Sequence, residues 1–214
     1  MDGVRRASAH EIVFQSREGT PELNCCSVNG HRGFGMISDW AMMNDSDGIV
    51  LNYYGSSEIA VQYKNISVKV IQTTDYPRDG RIQIQIEPSR PVKFTVKLRI
   101  PYWSKQTTAA VNGDKIKSIV PGSYISISRT WKNGDKITLQ VDMSPHFWAG
   151  EQECAGRTSI YRGPVLLAYD RRFNTIAPDK IPVLDAEKIR FVYKQAKTNP
   201  QPILLLQTQT AEGE

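Results

Sequence analysis

From Gly48 onward the apolar residues of this chain fall on every second position, and that period constrains the fold more than any other feature. Ile82, Ile84 and Ile86 alternate with Gln83 and Gln85; Val92, Phe94, Val96, Leu98 and Ile100 repeat the pattern, as do Ile137, Leu139 and Val141. Successive strand residues point to opposite faces, so each segment has one face for a core and one for water. Turn clusters separate the segments: Pro77-Arg78-Asp79-Gly80, Asn112-Gly113-Asp114 and Asn133-Gly134-Asp135, all read as hairpins. About ten short strands at this spacing predict an antiparallel β-sandwich. After His146 a second group follows, with strands expected over 157–169, 189–194 and 203–208. A stretch containing Pro164, Pro178 and Pro182 interrupts it, which suggests part of a second sandwich.

The front of the chain has a different period. Residues 1–28 read as irregular, with a short apolar run at Ile12-Val13-Phe14. Beyond them Phe34, Ile37, Trp40 and Ala41 recur every three or four residues, with Met36 and Met43 alongside, and Asn44-Asp45-Ser46-Asp47-Gly48 reads as the stop. The expected domains are therefore 1–47, 48–145 and 146–214. A single amphipathic helix cannot bury its own apolar face. Either it lies on the sandwich, or it is the last helix of a bundle.

Composition excludes several classes. With 40% hydrophobic and 23% charged residues, the 214-residue chain has enough apolar side chains for a core and is not of disordered type. No run approaches the roughly 18 consecutive apolar residues of a membrane helix. The N-terminal Arg5-Arg6 has no apolar block behind it, so no signal peptide is read, which leaves cytoplasm and periplasm both open. The net charge of +5 is spread singly along strands, as in Lys93, Lys97 and Arg99, where it faces solvent. No nucleic-acid or membrane partner is expected.

The segment with chemical interest is Glu22-Leu23-Asn24-Cys25-Cys26-Ser27-Val28-Asn29-Gly30-His31-Arg32. Two adjacent thiols precede a helix, where the macrodipole and free N–H groups favour anions and lower a thiol pKa. Three readings stay open on the residues alone: two buried small hydrophobes, half of a zinc site, or a reactive thiolate. A dipeptide cannot complete a tetrahedral zinc site. Three cysteines, two of them adjacent, do not make a disulfide framework. Trp103, Trp131 and Trp148 read as packing residues rather than sugar platforms. Asn65-Ile66-Ser67 spells a glycosylation sequon, relevant to a secreted eukaryotic protein alone. His146 is given no role, and His31 is kept as a neighbour of the thiols.

In order and spacing, these blocks resemble the zinc-dependent β-L-arabinofuranosidase family of glycoside hydrolases. The matching blocks are Cys25-Cys26 with Asn29 and Arg32, Asp47 to Tyr54, Thr73 to Gly80, Leu98 to Ser104 with Val111-Asn112-Gly113, Tyr124 to Asp135, and Arg162 to Val165. The resemblance covers residues 22 to about 170. It implies a mainly β chain whose sandwiches are preceded by one helix left over from an (α/α) barrel. It further implies retaining hydrolysis by a zinc-bound cysteine thiolate, with Cys25 as nucleophile and zinc ligand and Cys26 as second ligand. The implied substrate is an L-arabinose-containing glycan. The family's remaining zinc ligands, in a Glu-x-Cys motif, and its acid/base glutamate lie well upstream of the cysteine pair, and only 24 residues precede Cys25 here. Glu151-Gln152-Glu153-Cys154 has the Glu-x-Cys spelling but follows the sandwich and is read as coincidence. The chain is thus expected to be a C-terminal fragment, inactive without its N-terminal barrel. The alternatives are a stand-alone β-sandwich that binds carbohydrate or protein, and a zinc half-site completed by oligomerisation.

Overall fold

The computed structural model describes residues 25–169, with 175–177, 180, 181, 183, 188, 190–195 and 202–207 beyond them; for 25–28, 190–195 and 202–207 it describes the backbone alone. The irregular stretch before Cys25, with Ile12-Val13-Phe14 and Glu22, lies outside the described residues, as do Pro178, Pro182, Ile189 and Thr208. Two compact units emerge, Met1–Ser144 and Pro145–Glu214.

The first unit begins with helix α1 (Cys25–Ala41), the one α-helix among the described residues. It runs straight into strand β1 (Met42–Asp45), which pairs antiparallel with β2 (Gly48–Leu51). Here the helical spacing misleads. Met43 belongs to a strand, and Asn44 to Gly48 makes a hairpin rather than a helix stop. The physical cause lies in tertiary pairing: Met42 packs against the core, and Gly48 lies so close to β6 (Val92–Arg99) that a Cβ there would overlap the Thr95 carbonyl. Glycine permits that approach, and the pairing outweighs a local periodicity.

The remaining strands of the unit are β3 (Ser57–Tyr63), β4 (Ile66–Thr74), β5 (Arg81–Pro88), β7 (Thr108–Val111), β8 (Asp114–Lys115), β9 (Tyr124–Trp131) and β10 (Asp135–Gln140). They form two sheets, ordered β1-β2-β6-β9 and β3-β4-β5-β10-β7-β8. All pairs in this unit are antiparallel except β2 with β6, which run parallel from Gly48 beside Thr95 to Leu51 beside Leu98. One hydrophobic cluster joins the inner faces: Ile49, Leu51, Val96 and Leu98 from the first sheet, Val68, Val70, Ile82, Ile84, Ile86, Ile137 and Leu139 from the second. The alternating residues of the sequence are thus the core of a sandwich.

The turns follow their chemistry in two places and depart from it in one. Asn112 and Gly113 both have positive φ, 52° and 95°, the backbone of a type I′ hairpin between β7 and β8. Lys64 and Asn65, with φ of 45° and 63°, make the same two-residue turn between β3 and β4 without a glycine; the sequon asparagine is a turn residue. Asn133-Gly134, by contrast, is no hairpin. It carries the chain from β9 in the smaller sheet to β10 in the larger. Asp135 holds that corner, accepting from the Lys132 amide at 2.9 Å and from Asn112 Nδ2 at 2.8 Å. Trp131 closes the core beneath it, fully buried, with Nε1 donating to the Phe94 carbonyl at 3.0 Å.

In the second unit, β11 (Pro145–Ala149), β12 (Thr158–Arg162) and β13 (Val165–Leu166) form one small sheet, and β14 (Arg190–Gln195) pairs with β15 (Pro202–Gln207). The single strand expected over 157–169 is two strands. Gly163, with φ of 54°, and Pro164 turn the chain so that Arg162 pairs with Val165.

Candidate functional site

Cys25 and Cys26 are the first two residues of α1. Their side chains lie outside the described residues, so what the structure places is the backbone beneath them. Asn29, His31 and Arg32 follow on the exposed helix, with Arg32 Nη1 donating to Asn29 Oδ1 at 3.4 Å. Every residue from Asn29 to Trp40 is exposed, including Phe34 at 78%, Ile37 at 46% and Trp40 at 42%. The apolar stripe read from the sequence therefore exists and, among the described residues, nothing covers it.

The other end of the helix is fixed. The last carbonyls of a helix lack intrahelical donors. Here the Asn52 backbone amide donates to the Ala41 carbonyl at 2.9 Å, and Asn52 Nδ2 donates to the Trp40 carbonyl at 2.9 Å. Asn52 Oδ1 in turn accepts from the Tyr124 hydroxyl at 2.6 Å. Beside this group, the Tyr54 hydroxyl donates to the Arg99 carbonyl at 2.7 Å, and burial pushes its pKa well up, so the phenol stays neutral. The Arg99 guanidinium lies over the Tyr53 ring at 5.9 Å. Sequence reading singled out none of these contacts, although Asn52 to Tyr54 and Tyr124 all lie in the quoted blocks; only the joining of β2 and β9 through β6 brings them together.

The carboxylates of the sandwich are engaged in structure. Asp45 and Asp47 flank the Lys97 ammonium. The Lys97 hydrogen bond holds Asp45 below the ordinary carboxylate range; for Asp47 the Thr95 hydroxyl does most of this, Lys97 next. Burial alone would raise the Asp135 carboxyl, but the hydrogen bonds from Asn112 and the Lys132 amide, with the Arg129 charge, outweigh it and hold it low. Thr73, Thr74, Asp75 and Asp79 of the Thr73–Gly80 block line a groove of about 350 Å³ with Ser56, Arg81 and Gln83. Its polar groups bond one another: Ser56 Oγ donates to the Thr74 carbonyl at 2.8 Å and the Arg81 amide to Asp79 Oδ1 at 2.6 Å. No aromatic ring lines it.

The other marked residues resolve case by case. Trp103 is partly buried against the core, as expected of a packing residue, whereas Trp148 on β11 is 56% exposed, against that expectation. In β11 it lies on a short strand of a small sheet whose outer positions face solvent. His146 stacks on Tyr161, ring centroids 5.3 Å apart. Cys154 is an exposed free thiol in a one-turn 3-10 helix. Zinc needs about four ligands. Among the described residues no three His, Cys, Asp or Glu side chains gather around a metal position. The donor chemistry of two thiols at Cys25 and Cys26 is compatible with half of a zinc site.

The first unit is thus a two-sheet sandwich behind one helix, with the Asp45, Asp47 and Asp135 carboxylates held in ion pairs and hydrogen bonds. Residues 48–143 match the model of the β-L-arabinofuranosidase GH127 middle domain. No curated protein matches the chain. Among solved structures, it is similar to a GH127 β-L-arabinofuranosidase from Geobacillus stearothermophilus T6, with a TM-score of 0.75 and 23% identity over 86% of this chain and 29% of that one. A protein described as a glycoside hydrolase gives 0.73 and 23%, over 94% and 35%. A GH127 β-arabinofuranosidase gives 0.67 and 23%, over 89% and 34%. The chain spans about a third of the length of these structures.

Proposed function

We propose that this chain serves a retaining glycoside hydrolase acting on non-reducing-end β-L-arabinofuranosides, that Cys25 is its nucleophile, and that the chain is inactive without a helical domain that supplies the acid. One observation supports this most: adjacent cysteines open a helix whose last turn is tied to a sandwich matching the GH127 middle domain. The Cys25 thiolate attacks the anomeric carbon, so that a C–S bond forms as the glycosidic C–O bond breaks, and a carboxylic acid from outside the described residues protonates the departing oxygen. Water, deprotonated by the same carboxylate, then displaces the sulfur and restores the thiolate. The helix N-terminus favours the anionic form of Cys25 through its free N–H groups. Cys25 and Cys26 would hold zinc, which when bound keeps a thiolate deprotonated near neutral pH. A stand-alone binding module is less well supported, because its helix would have to pack on its own sheet and residues 29–40 are exposed instead.

The test is hydrolysis of an aryl β-L-arabinofuranoside by this chain alone and by the chain joined to any helical domain found in frame upstream of Met1. We expect turnover from the joined protein alone, and its loss in Cys25→Ala. Turnover by the isolated chain overturns the claim of inactivity. A joined Cys25→Ala enzyme that keeps its rate overturns the nucleophile. Stoichiometric zinc in the isolated chain, measured by elemental analysis, would favour a half-site completed between copies. A stop codon upstream of Met1, with no helical sequence to join, would overturn the fragment reading.

A further inference from the structure

Nothing among the described residues packs on the sides of α1, so its direction depends on its C-terminal attachment. That attachment has an unusual design. No basic residue stands in the last turn, and Met42 rather than a glycine follows it. The caps come instead from Asn52, eleven residues beyond Ala41, through its backbone amide and its side-chain amide. A carbonyl can only accept, so the Asn52 side chain must present Nδ2 to Trp40 and Oδ1 to the Tyr124 hydroxyl. Each half of the amide thus fixes the other.

Tyr124 makes this more than a local cap. It stands on β9, paired with Arg99 on β6, while Asn52 follows β2 on the far side of β6. Its hydroxyl therefore spans two strand spacings, about 10 Å, to reach Asn52. The result is a chain of hydrogen bonds from the edge strand of the sheet to the last turn of the helix.

We propose that Asn52 and Tyr124 form a clamp that sets the direction of α1 on the four-stranded sheet, and that both are positioning residues for its Cys25 end. The helix has 17 residues, so about 24 Å separates the clamp from Cys25 at 1.5 Å per residue. A swing of about 10° at the clamp moves that end by about 4 Å, well beyond the roughly 0.5 Å tolerance of a catalytic constellation. The consequence for Cys25 chemistry rests on the function proposed above; the clamp itself does not.

The experiment is amide hydrogen exchange on the full chain, with residual dipolar couplings reporting helix orientation. Tyr124→Phe removes one hydroxyl, and exchange of the Met36–Ala41 amides should rise about fivefold, the equivalent of one ordinary hydrogen bond. Asn52→Ala should raise it further, and adding Tyr124→Phe to it should do nothing more. The couplings of α1 should shrink in each variant while those of β4 and β5 stay fixed. Helix amides that are unprotected in the unsubstituted chain, or unchanged by either substitution, overturn the clamp. So does a rise in β4 and β5 exchange that keeps pace with the helix, which would mean general loosening. Arabinofuranoside turnover does not enter the measurement, so a failed clamp and a failed nucleophile are told apart.

Discussion

The sandwich sheets and the helix before them each carry an apolar face, yet these faces end in opposite circumstances. Ile49, Val68, Ile82, Ile84, Ile137 and Leu139 are fully buried, while Phe34, Met36, Ile37 and Trp40 stand 40% exposed or more. A sheet with one apolar face can meet a second sheet from the same stretch of chain. A lone helix with one apolar stripe has no such mate, and it holds its place through main-chain and side-chain hydrogen bonds at one end. Amphipathic pattern alone therefore does not tell whether a face is covered; the number of elements available to cover it does.

Three measurements sharpen or break that contrast. The largest effect is expected from Trp131→Ala, which empties the floor of the sandwich and removes the donor to the Phe94 carbonyl. Urea unfolding should show a loss of about 3–5 kcal/mol. A loss below about 1 kcal/mol would mean that the core is not where the stability lies.

The second measurement is the pH dependence of the same unfolding. Asp45, Asp47 and Asp135 all have carboxyls held below their ordinary values in the folded chain. Their contribution is therefore present above the unfolded carboxylate pKa of about 4 and is lost as pH falls through the lower folded values. The urea midpoint should drop as pH goes from about 5 toward 3. In Asp135→Asn part of that drop should vanish, from a lower starting stability. A midpoint that rises on acidification contradicts the assigned hydrogen bonds.

The smallest effect is expected at the other region. Phe34→Ser, at a side chain 78% exposed, should shift unfolding by less than about 0.5 kcal/mol. A larger loss would show that the helix is covered in the isolated chain and would break the comparison.

Most of the fold is legible in the sequence because period-two alternation reports a half-buried strand directly. Ile82, Ile84 and Ile86 are buried, as the pattern requires. The failures have both distant and local causes. Nothing near Asn133-Gly134 says that β9 and β10 belong to different sheets, and nothing near Met43 says that β2 waits to pair with β1. Lys64-Asn65 escapes notice as a turn because it lacks the glycine that usually marks one. At the candidate site the thiols are visible as an odd dipeptide, but the Asn52–Tyr124 contact joins residues 72 apart and has no local signature.

The parallel pairing of β2 with β6 also fixes an order of events. β3, β4 and β5 are joined by short turns and pair as neighbours, so they can form from local encounters. Gly48 must instead wait for Thr95, with the whole β3–β5 meander closed in between. Contacts of long sequence separation form late because the intervening chain must first lose its freedom. Asn52 directly follows β2; its bond to Ala41 continues the local β1–β2 hairpin, whereas its bond to Tyr124 lies across β6 and cannot precede that docking. The link from the helix to the edge strand β9 is thus completed only once that meander has closed, although the helix and its hairpin can form beforehand.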